Sequence, residues 1–136
     1  MITVKNKQLD GETIEILNEI VEMDIKAIEA FKLMRIIKKL DEIVQNRQKA
    51  EMNLVKKYAE KNEDGSIKLP VDENGNEIQG SFEVSDENKD EFNKQFTDLL
   101  EYENEIEDAD PIIFENLGLE KISIKKLVKL DFLFVE

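Results

Sequence analysis

Residues 25–61 form a long run with no glycine and no proline, and apolar side chains recur in it at intervals of three and four. Ile28, Phe31, Met34 (or Leu33), Ile37, Leu40, Val44, Leu54 and Tyr58 mark the rhythm. Side chains three and four apart share one side of an α-helix, so the run predicts a helix of roughly nine turns. Residues 45–52 are its most polar section. A stripe of this kind packs against the rest of a domain or against a second copy of the chain. Whatever else the sequence folds into must be built around this helix.

The flanking segments are short. Ile2, Thr3 and Val4 are β-branched and predict a strand. Asp10 is placed to cap a helix through Ile14, Leu17, Ile20 and Val21, with Glu12 at its positive end. Asp24 is the corresponding cap for the long helix, which the run 62–65 stops, with Gly65 free to turn left-handed. Ile67, Leu69 and Val71 alternate, Asn74 and Gly75 give a type I′ turn signal, and Ile78, Phe82 and Val84 alternate again. That pattern predicts a β-hairpin, with a bulge at Gly80 and an edge arm at Pro70. Ser85 or Asp86 caps a third helix that buries Phe92, Phe96, Leu99 and Leu100. From 101 to 107 the period becomes two, which fits a strand better than a helix end. After Pro111, residues 112–114 are extended and Gly118 ends a turn. Ser123 caps a last helix with Ile124, Leu127, Val128 and Leu130 on its apolar face, and residues 132–135 close the chain. The fold class is α+β: a helix-rich single domain over residues 1–136, with a long helix, a β-hairpin and short strands. No internal repeat is evident.

Composition narrows the chemistry. The 136 residues include 19 Lys plus Arg against 32 Asp plus Glu, a net charge of −13, and there is no His, Cys or Trp. Without His and Cys the common nucleophilic triads and thiolate metal sites are excluded. Phosphate-cradling glycine loops are absent too, and the chain reads as non-enzymatic, with no cofactor and no metal. Residues 1–10 lack the apolar centre of a signal peptide, and no run is long enough to span a membrane. The charge is uneven: 12 basic and 11 acidic residues lie in 1–61, 3 and 19 in 62–120, and 4 and 2 in 121–136. Direct nucleic-acid binding is disfavoured, because phosphate contacts need a positive face. Arg35, Lys38 and Lys39 with Lys56 and Lys57, and Lys121, Lys125, Lys126 and Lys129, read as mixed solvated faces. Asp72, Asn74, Asn76 and Glu83 have the spacing of a calcium loop. Glu77 replaces the glycine its turn requires, so a hairpin with solvated acids fits better.

The acidic middle supplies the candidate binding residues. On a strand, Glu101, Glu103, Glu105 and Glu107 face one way at about 6.7 Å spacing, and Asp108 and Asp110 extend the row. Backbone phosphates of DNA have spacings of the same order. The row is thus a candidate nucleic-acid mimic, or else a soluble edge that repels other edges.

The succession Leu54 and Tyr58, Glu63 to Gly65, Asn74 and Gly75, Glu91 and Phe92, Leu99 and Leu100, Glu105 and Ile106 resembles small proteins of unknown function from tailed phages of Gram-positive hosts. Residues 2–21 and 123–134 are similar to theirs in outline. The resemblance implies a phage or prophage origin and no assigned activity, and the expected location is the host cytoplasm. It implies no catalytic or binding residue. The expected function is that of an accessory protein that binds a host or phage protein, with acidic mimicry against a defence or replication protein as its sharp form. The alternative is a virion assembly component that forms homo-oligomers through Ile28, Phe31, Leu40 and Val44.

Overall fold

A computed structural model describes residues 1–119 and 122–134. Its elements are a strand β1 (Ile2–Lys5), helices α1 (Gly11–Glu22), α2 (Ala27–Tyr58) and α3 (Asp86–Glu101), a strand β2 (Glu103–Ile106) and a short helix α4 (Ile124–Lys129). Helix therefore predominates, around one long α-helix and a two-stranded antiparallel sheet. The chain divides into two compact units, residues 1–46 with 101–136, and residues 47–100.

The first unit holds the main core. β1 pairs antiparallel with β2, with Ile2 opposite Ile106, Val4 opposite Asn104, Thr3 opposite Glu105 and Lys5 opposite Glu103. Alternation sends Ile2, Val4 and Ile106 inward, and the core continues through Ile16, Leu17 and Ile20 of α1. From α2 come Leu33, Ile36, Ile37 and Leu40, and from the C-terminal segment Leu117, Leu130 and Leu133. Each fully buried aliphatic side chain contributes roughly 1.5–3 kcal/mol of transfer free energy.

α1 is capped as expected. Asp10 accepts hydrogen bonds from the Thr13 amide at 2.8 Å and the Thr13 hydroxyl at 2.9 Å. The cap of α2 differs from the expected Asp24. The Ala30 amide donates to the Lys26 carbonyl at 3.0 Å, so the helix starts two residues later than an Asp24 cap would require. Ser123 caps α4, accepting from the Lys126 amide at 3.2 Å. α4 does not bury its expected face, however. Leu130 is buried and Leu127 half-buried, whereas Ile124 and Val128 are exposed. A helix of six residues buries only the side it leans on, and here that side follows Leu127, Leu130 and Leu133. Residues Lys121 and Val135 lie outside the described residues.

The second unit is organised by aromatic side chains. Phe92 is buried and meets Tyr58, Phe82 and Phe96 at centroid separations of 6.2, 5.6 and 5.9 Å. Gln95 donates to the Tyr58 hydroxyl at 2.8 Å. In place of the expected hairpin there are isolated bridges: Ala59 with Val84, Lys61 with Ile67, and Val71 with Glu77. Val71 and Ile78 are exposed, so the alternation there has no face to bury. The turn at Gly75 is not type I′. Only the glycine has positive φ (+81°), and no non-glycine residue does among those described. Gly80 likewise sits in a turn, not in a strand bulge.

A short repeat emerges that the residue types had hidden. The Asn62 amide donates to the Ser66 carbonyl and the Gly65 amide to the Asn62 carbonyl, at 2.8 and 3.0 Å. Ten residues on, Asp72 with Asn76 and Gly75 with Asp72 make the same pair of bonds at 2.9 and 3.0 Å. Both turns close on a glycine of positive φ, at +87° and +81°.

Candidate functional site

The six acidic candidates fall on one stretch of the first unit, but their environments differ. Helical periodicity through Leu99 and Leu100 carries on one residue further, so Glu101 ends α3 and does not belong to a strand. Its carboxylate accepts from Lys7 Nζ and from Lys5 Nζ, the latter at 2.9 Å. The hydrogen bond from Lys7, then that from Lys5, holds the Glu101 carboxyl down at about 2. Lys5 is raised in turn by its bond to Glu101.

Only Glu103 and Glu105 share the outer face of β2, opposite Lys5 and Thr3. Asn104 turns the other way and donates to Val4 O at 3.2 Å and Asn6 Oδ1 at 2.9 Å, which fixes the strand. Glu107 and Asp108 lie in the following turn, and Asp108 is 4.0 Å from Lys39 Nζ. Asp110 is exposed beside Pro111. Among the described residues Glu103, Glu105, Glu107 and Asp110 have no ion-pair partner. The first three line a shallow depression of about 750 Å³ together with Tyr102 and Ile43. The row of four glutamates implied by the alternation is therefore a two-residue row, Glu103 and Glu105, with Glu107 beyond its end.

The second surface lies on α2, and sequence periodicity located it only in part. At about 100° per residue, Leu33, Ile36, Ile37 and Leu40 occupy an arc of about 100°, and Phe31 lies nearly opposite its centre. Ile28, Phe31 and Met34 are 58, 57 and 57 % exposed. The stripe of Ile28, Phe31, Leu40 and Val44 thus splits: Leu40 is in the core, Val44 packs on it, and Ile28 and Phe31 face out. The signal was the choice between Leu33 and Met34, since both sit at helical spacing and α2 has apolar residues on both sides.

Glu29 is the single acid between residues 27 and 38, and it is turned inward and buried, with Lys32 Nζ at 3.5 Å. The outer arc through Lys38 therefore combines apolar groups with cations alone. Lys32 is paired with Glu29 and Lys39 with Asp108, whereas Arg35 and Lys38 have no ion pair among the described residues. Beside Phe31 a groove of about 390 Å³ opens between α2 and the segment from Asp108 to Asn116. Ile36, Ala109 and Ile112 line it with apolar surface, and the exposed Ile113 borders it with the acids Glu29, Asp108 and Asp110.

Of the other cationic cluster, Lys126 and Lys129 are paired locally. Lys126 meets Glu19 at 3.1 Å, and Lys129 meets Asp10 at 2.9 Å and Glu12 at 3.2 Å. The hydrogen bond from Lys129 is the main reason that the Asp10 carboxyl is lowered to about 2. In the calcium-like spacing, Asp72 Oδ1 accepts from the Asn74 and Asn76 amides, both at 2.9 Å, which is an Asx turn. No cluster of three or more carboxylates suited to a metal ion occurs among the described residues, and none of their helices is long and apolar enough to cross a membrane. No family profile, characterised protein or solved structure matches this chain.

Proposed function

We propose that this chain is a non-enzymatic accessory protein of phage or prophage origin that works in the host cytoplasm by binding another protein through the outer face of α2. The observation that carries the reading is the trio Ile28, Phe31 and Met34, each more than half exposed and adjacent along one side of a helix whose other side is in the core. Scattered apolar residues on a surface need no explanation, but a contiguous group rimmed by charge marks an interaction site.

The test is affinity capture of host or phage proteins from infected cells with the wild-type chain and the triple variant Ile28→Gln, Phe31→Gln, Met34→Gln. Loss of the captured protein with the variant supports the reading. Capture of the same protein by both places the contact elsewhere.

Glu103, Glu105 and Glu107 support a second reading, in which an acidic surface occupies the nucleic-acid site of a host protein. Three carboxylates that form no close ion pair among the described residues border one depression beside the exposed Tyr102. Substituting all three with Lys abolishes inhibition of such a host protein on this reading, and 0.5 M salt weakens it, because the Debye length then falls to roughly 4 Å. Inhibition that survives the substitution excludes it.

A further inference from the structure

We propose that Asn74 is a site of spontaneous covalent modification, at which the Gly75 backbone nitrogen attacks the Asn74 side chain, ammonia leaves, and water then yields aspartate or isoaspartate. The site is separate from the outer face of α2.

Eleven asparagines occur in the chain, and Asn74 alone is followed by glycine. The reaction needs the nitrogen of the next residue to reach Cγ of the asparagine, and glycine permits that approach because it carries no side chain. Eight of the other ten lie in helices, short helical turns or β2. The remaining two, Asn62 and Asn76, each precede a glutamate. Asn74 is exposed, and no atom lies within 4 Å of where a Gly75 Cβ would stand, so the space around the reacting pair is open.

The two glycine turns of the second unit differ in how they are capped, and the difference frees the Asn74 side chain. In the first turn Asp64 precedes Gly65, and its Oδ1 accepts from the Ser66 amide at 3.0 Å and the Ser66 hydroxyl at 2.6 Å. Those bonds hold the Asp64 carboxyl below the usual carboxylate range, and an anionic carboxylate resists attack by an amide nitrogen. In the second turn the cap comes from Asp72, whose Oδ1 accepts from the Asn74 and Asn76 amides. The Asn74 side chain is neutral and makes no hydrogen bond among the described residues. The same turn restrains the reaction. The Gly75 amide donates to the Asp72 carbonyl at 3.0 Å, and the nitrogen must leave that bond and lose its proton before it attacks.

The Gly75 nitrogen then bonds to Cγ, the bond from Cγ to Nδ2 breaks, and ammonia departs with the proton that the nitrogen gave up, leaving a cyclic imide. Water opens the ring at one of two bonds. Breaking the nitrogen's bond to Cγ gives aspartate, and breaking its bond to the main-chain carbonyl carbon of residue 74 gives isoaspartate. In sum an amide and a water become a carboxylic acid and ammonia, with no change of oxidation state. Either product places a carboxylate beside Asp72 and Glu73. Isoaspartate also lengthens the main chain by one methylene, which the bridge between Val71 and Glu77 does not accommodate.

In the experiment the full chain stands in mildly alkaline buffer for several weeks, beside the variants Asp72→Ala, Asp72→Asn and Asn74→Gln. Samples are digested at acidic pH and read by peptide mass spectrometry and by labelling with an isoaspartate-specific methyltransferase. The mass gain from amide to acid, with isoaspartate label, is expected first in the peptide that holds residue 74. Asn74→Gln is expected to show neither there, because its longer side chain closes the ring poorly. Asp72→Ala loses the acceptor that holds the Asn74 and Asn76 amides and is expected to react about fivefold faster, the factor for one net hydrogen bond. Asp72→Asn keeps a side-chain oxygen as acceptor and is expected to react at close to the wild-type rate. Conversion of Asn62 or Asn76 ahead of Asn74, or no conversion at Asn74, overturns the site. Equal acceleration in Asp72→Asn and Asp72→Ala overturns the restraint by the turn, since loss of charge then accounts for both.

Discussion

Leu33 and Met34 are neighbours in sequence and face opposite environments, so their substitution separates folding from function. Leu33 is 2 % exposed and sits in the core with Ile36, Ile37 and Leu40. Leu33→Ala removes buried methyl groups and leaves a cavity, at a cost of about 3 kcal/mol. For a chain of this length that lowers the melting temperature by roughly 10 °C. The triple change Ile28→Gln, Phe31→Gln, Met34→Gln acts on side chains already more than half exposed. The small loss of burial is offset in part by glutamine, a better helix former than Ile or Phe. The net effect is expected to stay within about 1 kcal/mol, or roughly 4 °C. Thermal melts followed by circular dichroism at two protein concentrations read both variants. If the triple variant loses as much as Leu33→Ala at both concentrations, the outer face is packed in the folded chain and the division of α2 into two faces is wrong. If its loss appears only at the higher concentration, the face is covered by a second copy.

Three further outcomes follow from the same geometry. Glu101 and Asp10 have carboxyls held at about 2, below ordinary values of 4.5 and 3.8, so the stability they supply is full above about pH 4.5 and is lost as pH falls towards 2. Glu101→Gln should therefore lower the melting temperature at pH 7 but not at pH 2, which a pair of calorimetric scans would show. Asp10→Ala removes both the cap at Thr13 and the bridge to Lys129 and should cost about 1–2 kcal/mol in urea unfolding, with Asp10→Asn losing less because it still caps. Gly75→Ala meets no atom within 4 Å, but φ of +81° strains any side chain, so about 1 kcal/mol is expected, read as faster amide exchange at residues 71–77.

Much of the fold was legible because it is set by local rules. The Asp10 cap, the long α2, the helix after Ser85, and strands at both Ile2 and Ile106 all follow from spacing and side-chain chemistry within a few residues. What was not legible depends on partners far along the chain. The hairpin shrank to a single bridge between Val71 and Glu77 because Val71 and Ile78 alternate correctly but find no layer to cover them. The acidic row shortened because Lys5 and Lys7, almost a hundred residues away, hold Glu101 on the end of α3. α4 turned its Ile124 and Val128 outward because Leu130 and Leu133 had already filled the inner position. Periodicity located a stripe on α2 but not which of two opposite stripes the core would take.

That second stripe is the point at which folding alone stops accounting for the residues. Solvent-facing helix positions are best filled by Ala, Glu, Lys, Gln or Arg, which hold the helix and stay hydrated. Ile and Phe are poorer helix formers, and exposing them invites association. Positions 28 and 31 therefore cost something in local helix stability and in solubility, and the core, closed by Leu33, Ile36, Ile37 and Leu40, gains nothing from them. The rest of the chain is strongly charged and manages its exposed surface with acids, yet along residues 27–38 the single acid is turned inward and the outward charges are cations. An exposed apolar group at helix positions where stability and solubility favour polar residues is what the protein-binding surface proposed above requires.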